Sequence, residues 1–135
     1  MVSRSFFLLT GLVLLVAAVV VACGPGAGAV PTSGPSGQTV NVEGSEFSYT
    51  PGDITAKPGQ TITVNFKNTG SVEHTFVIRE PKVNLDFKIV AQPGQTKSGT
   101  FTAPTTPGVY QIHCDVPGHT EAGMQGKLTV NAASN

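Results

Sequence analysis

The chain has 135 residues, enough for one small domain, and its 8 Lys and Arg balance its 8 Asp and Glu. No basic field and no long run of either sign exists, which argues against nucleic acid as a partner. Gly (16) and Pro (10) are frequent, and no stretch of residues 38–131 keeps a convincing helical period.

Residues 1–22 carry one charge, Arg4, followed by a run from Phe6 to Ala22 that is apolar except for Thr10 and Gly11. A short basic start, an apolar middle and small residues before Cys23 describe an export signal. The stretch Val20-Val21-Ala22-Cys23 resembles a bacterial lipobox, which implies cleavage before Cys23 and a diacylglycerol on its thiol. The alternative is an uncleaved anchor, since ~17–20 apolar residues just suffice to span a bilayer. Either way the domain is expected to be tethered outside the cytoplasm, on the periplasmic or outer face of the cell membrane. Loss of Arg4 with the signal leaves seven basic against eight acidic residues, a net charge of −1. Residues 23–37 then hold the lipid-attachment cysteine and a tether rich in Gly, Pro and Ser that cannot bury a core. Such a tether reaches about 20 Å on average and roughly 45–50 Å when stretched.

Residues 38–131 read as all-β, with 132–135 a short tail. The runs TVNVEG, FSYT, QTITVNFKN, EHTFVIR, DFKIVA, TKSGTFTA, GVYQIHC and GKLTVNA alternate apolar and polar residues. The turn signals KPGQ, NTGS, QPGQ and PTTPG separate several of them. About eight short strands punctuated in this way predict a Greek-key sandwich or barrel. Alternation puts Ile62, Val64 and Phe66 on one face, His74, Phe76 and Ile78 on one face, and Tyr110, Ile112 and Cys114 on one face.

Cys114, His119 and Met124 stand five residues apart in HCDVPGHTEAGM, and His74 opens an upstream strand. One thiolate, two imidazoles and one thioether suit a single copper ion that alternates between Cu(I) and Cu(II), with the thioether as a weak axial ligand. A disulfide is not expected, because Cys23 lies at the membrane end and Cys114 has this better use. Zinc is the chemical competitor for the thiolate and imidazoles, although a thioether serves it little. Taken singly, each of these side chains would more often be core filler or a satisfied polar group. Their joint spacing on a β-scaffold is what argues for a metal.

FSYTPGDITAKPGQTITVNFKNTGSVEHTFVI and FTAPTTPGVYQIHCDVPGHTEAGMQGKLTV resemble the two halves of a cupredoxin, the small blue copper family that includes plastocyanin, azurin, halocyanin and auracyanin. The resemblance covers residues 38–131. It implies His74, Cys114 and His119 as strong ligands of one type 1 copper and Met124 as the weak axial one. The Cys–x4–His–x4–Met loop is slightly longer than in plastocyanin or azurin and is closest to auracyanin. In this family the neighbour of the first histidine, here Thr75, ties the ligand loops together. Gly118 stands where a dinuclear copper site needs a second cysteine, and Asp115 stands where multicopper oxidases carry a second flanking histidine. His113 is the one histidine left over, which cannot build a second, catalytic copper, and it reads as a surface residue.

The expected function is a tethered one-electron carrier, a monomer and not an enzyme, that exchanges electrons with a protein donor and acceptor. The expected docking patch is the edge of His119, framed by Pro117, Gly118, Gly123 and Met124. Asp115 and Glu121 are expected to be solvated charges. The alternative function is copper storage or delivery.

Overall fold

The computed structural model describes residues 36–132. The expected signal, Cys23 and most of the tether lie outside the described residues. Nine strands follow in chain order: β1 (Gln38–Ser45), β2 (Ser48–Thr50), β3 (Asp53–Ala56), β4 (Thr61–Asn68), β5 (His74–Glu80), β6 (Leu85–Ala91), β7 (Thr96–Thr102), β8 (Gly108–His113) and β9 (Gln125–Val130). One 3-10 turn, Pro81–Val83, joins β5 to β6, and there is no α-helix among the described residues.

The strands form two sheets, ordered β2-β1-β4-β7 and β3-β9-β8-β5-β6. Pairing of β1 with β4 and of β3 with β9 is parallel, so the chain crosses between sheets rather than meandering. KPGQ, NTGS, QPGQ and PTTPG fall between strands or overlap a strand by one terminal residue.

The ninth strand is β3. Its four residues follow Pro51-Gly52, which reads as a turn, and are too short to show a period. Ile54 and Ala56 are nevertheless buried, because β3 pairs with β9 at Ile54↔Leu128 and Ala56↔Val130.

Alternation decides the core. Ile62, Val64 and Phe66 of β4 face Phe76, Ile78, Ile112 and Leu128 of the other sheet within one buried cluster. Tyr49, Phe66, Phe76, Phe87 and Phe101 run through it as tilted and edge contacts with centroids 4.8–6.3 Å apart. Such pairs hold better than area alone accounts for. β5 departs from simple alternation, since His74 to Ile78 are all buried. It lies between β6 and β8, and its outward Val77 pairs with both Lys88 and His113.

Candidate metal centre

Cys114 follows the last residue of β8 and extends the inward row of Tyr110 and Ile112. His74 opens β5, the neighbouring strand of the same sheet. Its approach is held by Asn68, fully buried at the end of β4. The Asn68 amide donates to the carbonyls of Val72 and Ala91 at 2.7 and 2.8 Å, and its oxygen accepts the Gly70 N–H at 2.9 Å. Nothing in the local pattern around Asn68 announces that role.

The loop from Cys114 to Met124 closes on itself. The Cys114 N–H donates to the Met124 carbonyl at 3.2 Å, and the Met124 N–H to the His119 carbonyl at 2.9 Å. The Thr120 hydroxyl donates to the Cys114 carbonyl at 2.5 Å. Gly118 and Gly123 have φ of 84° and 110°, which side-chain-bearing residues rarely adopt, so the loop needs glycine at both.

Folding brings three donors together at this end of the sandwich. One ligand atom each from His74, Cys114 and His119 lies within 4.8 Å of the others, and all three residues are buried. The two Nδ1 atoms stand 3.2 Å apart, and Cys114 Sγ is 3.5 Å from His119 Nδ1. Burial pushes His74 below the ordinary imidazole range, which favours the neutral ring that a metal requires. Two imidazoles and one sulfur converging away from water fit one copper ion. Met124 is also fully buried at the end of the same loop. His113 takes the opposite side of β8 from this row and is half-buried.

Thr75 joins the two ligand loops. Its N–H points at Cys114 Sγ at 3.4 Å. Its hydroxyl donates to Asp115 Oδ1 at 2.8 Å and accepts the Asp115 N–H at 2.9 Å. The hydroxyl has one proton, so the carboxylate outcompetes the sulfur at 3.6 Å. Asp115, expected from sequence as a solvated charge, is exposed but also tied into the site by these bonds. Lys88 Nζ donates to its Oδ2 at 2.8 Å, and although burial raises its pKa, the hydrogen bonds from Lys88 and Thr75 hold it lowered. Tyr49, 6% exposed, donates its hydroxyl to the Thr75 carbonyl at 2.5 Å from the facing sheet.

The surface near His119 also differs from expectation. Met124 does not border it, being fully buried, and His119 itself is only 9% exposed. Phe47, not among the residues expected at the docking edge, packs its ring against His119 with centroids 5.0 Å apart while remaining 40% exposed. Pro117, Gly118 and Gly123 are exposed as expected, and so is Glu121.

Residues 12–130 match the family model for a cupredoxin-like domain. Chloroplastic plastocyanin of Oryza sativa subsp. indica is 37% identical over 100 residues, covering 68% of this chain and 60% of the relative. This chain thus spans less than two thirds of that relative's length. The copper-resistant cuproprotein CopI of Rubrivivax gelatinosus is 32% identical over 110 residues, covering 69% and 66%. The crystal structure of sodium-dithionite-reduced auracyanin from Roseiflexus castenholzii superposes with a TM-score of 0.62 at 30% identity, covering 73% of this chain and 99% of that one. With two β-sheets, a buried His-Cys-His cluster at one end and a family match over most of its length, the chain belongs to the cupredoxin-like family.

Proposed function

We propose that this chain is a membrane-tethered one-electron carrier in which His74, Cys114 and His119 hold a single type 1 copper ion and Met124 supplies a weak axial thioether. The observation that carries this reading is the convergence of three buried strong donors within 4.8 Å on rigid strand ends and a self-bonded loop. Copper supplies the one-electron redox change. The protein's part is to keep the ligands in place, so that little rearranges when the charge changes, and to exclude water. The Thr75 N–H aimed at the sulfur stabilises the reduced state and raises the potential. No substrate bond is made or broken. Phe47, packed on the His119 ring, and Pro117 in the same ligand loop are exposed, an apolar patch that suits brief docking of a protein donor and acceptor. Lipidation of Cys23 would keep the monomer within tether's reach of the extracytoplasmic membrane face.

The test is a visible spectrum of the full chain with Cu(II), beside Cys114→Ser. An intense red-end band, lost in the variant and bleached by a mild reductant, is expected. Copper uptake without that band, or preference for zinc, would refute the reading. Intact mass of the membrane-extracted protein tests the lipid on Cys23.

Similarity to a protein named for copper resistance favours a second reading, copper storage or delivery. Burial of all four candidate ligands counts against easy hand-over. Copper released to a chelator within one redox cycle would favour delivery, and retention over many cycles would favour the carrier.

A further inference from the structure

We propose that Glu46 is a positioning residue for the metal: its carboxylate takes the Nε2–H of His74 and so keeps that ring in the tautomer whose Nδ1 is free to ligate. This rests on the copper reading above. His74 is fully buried, and its Nδ1 faces the other candidate ligands. Its Nε2 is the buried side-chain polar atom that lacks a hydrogen-bond partner among the described residues. Burying a polar group unpaired is costly, so this atom calls for a partner.

Glu46 Oε1 lies 3.5 Å from it, in electrostatic contact and slightly beyond a good hydrogen bond. That oxygen is itself fixed. It accepts the Ser71 N–H at 2.6 Å, the Ser71 hydroxyl at 3.0 Å and the Val72 N–H at 3.3 Å. The contact occupies space that only glycine leaves open. A Cβ on Gly70 would stand 2.6 and 2.7 Å from the two carboxylate oxygens and 2.7 Å from His74 Nε2. The turn after β1, the loop before β5 and the ligand ring thus meet at one point.

A ligating imidazole needs its second nitrogen engaged, because that fixes both tautomer and ring orientation and strengthens the ligand. With the proton on Nε2, the lone pair of Nδ1 points toward Cys114 and His119. With the proton on Nδ1, it occupies the metal's place. An anion beside the ring also favours Cu(II) over Cu(I), against the pull of the Thr75 N–H on the sulfur.

The test uses the full chain in detergent. Side-chain 15N NMR of copper-free protein, at a pH where imidazole is neutral, reads the His74 tautomer directly. Wild type is expected to carry the proton on Nε2. Glu46→Ala should move population to Nδ1–H and weaken Cu(II) binding by ~10–100-fold. Glu46→Gln keeps an acceptor oxygen, so it should retain the tautomer and most of the affinity while the copper potential shifts positive. Gly70→Ala should also weaken Cu(II) binding, because its Cβ crowds both the carboxylate and the His74 ring. A Glu46→Ala protein that keeps the Nε2–H tautomer and wild-type affinity overturns the proposal, even if it melts earlier, because loop stabilisation alone does not move a tautomer. Failure of the copper reading would show separately, as absence of the red band in wild type, and the tautomer would still decide the role of Glu46.

Discussion

Replacing Thr75 with valine keeps the shape of a side chain that is 1% exposed but removes the hydroxyl joining the two ligand loops. Two hydrogen bonds go, one from the Asp115 N–H at 2.9 Å and one to the Asp115 carboxylate at 2.8 Å. A neutral bond contributes ~1 kcal/mol and one to a charged group ~1.5–3 kcal/mol. The Asp115 side chain is 27% exposed and keeps Lys88, so water and the ammonium recover part of the second term. The net expectation is about 2 kcal/mol, or ~8–16 °C in melting temperature for a domain of this size. Circular-dichroism melts of copper-free protein measure it. The valine keeps its N–H toward Cys114 Sγ, so the red band of loaded protein should survive. A double-mutant cycle with Asp115→Asn isolates the pair and should give a coupling of ~0.5–3 kcal/mol. A loss below ~0.5 kcal/mol, within the range of ordinary surface substitutions, would refute the claim that this hydroxyl latches the loops.

Tyr49→Phe should cost ~1 kcal/mol in urea unfolding with an unchanged m-value, because it removes one buried hydroxyl bond without changing the surface exposed. No loss would mean that the bond to the Thr75 carbonyl adds nothing over water. Acid sensitivity should track Glu46, whose carboxyl the Ser71 N–H chiefly holds at about 2 against an ordinary 4.5. A depressed carboxylate stabilises the fold above its unfolded pKa and loses that contribution as pH falls through the folded value. Stability should therefore decline from about 4.5 toward about 2, and Glu46→Gln should flatten the decline. An identical acid profile in the variant would contradict this.

The sequence by itself determined the strand rows and the ligand loop. Alternation in β4 and β8 is a local property, so Ile62, Val64 and Phe66, and Tyr110, Ile112 and Cys114, were legible without knowing what they face. Cys114, His119 and Met124 were legible for the same reason, since one short loop carries all three. Tertiary structure decided everything that depends on which strands become neighbours. β3 gains its strand character from pairing with β9, not from its four residues. Asp115 looks like any exposed acid until Lys88 and Thr75, 27 and 40 residues away in the chain, arrive beside it. Glu46 and Phe47 sit in an unremarkable turn, and only the packing of that turn against the loop before β5 and against His119 gives them a place at the site. Local periodicity tells which way a side chain points, whereas its partners are set by long-range sheet order, whose favourable contacts no short window of sequence contains.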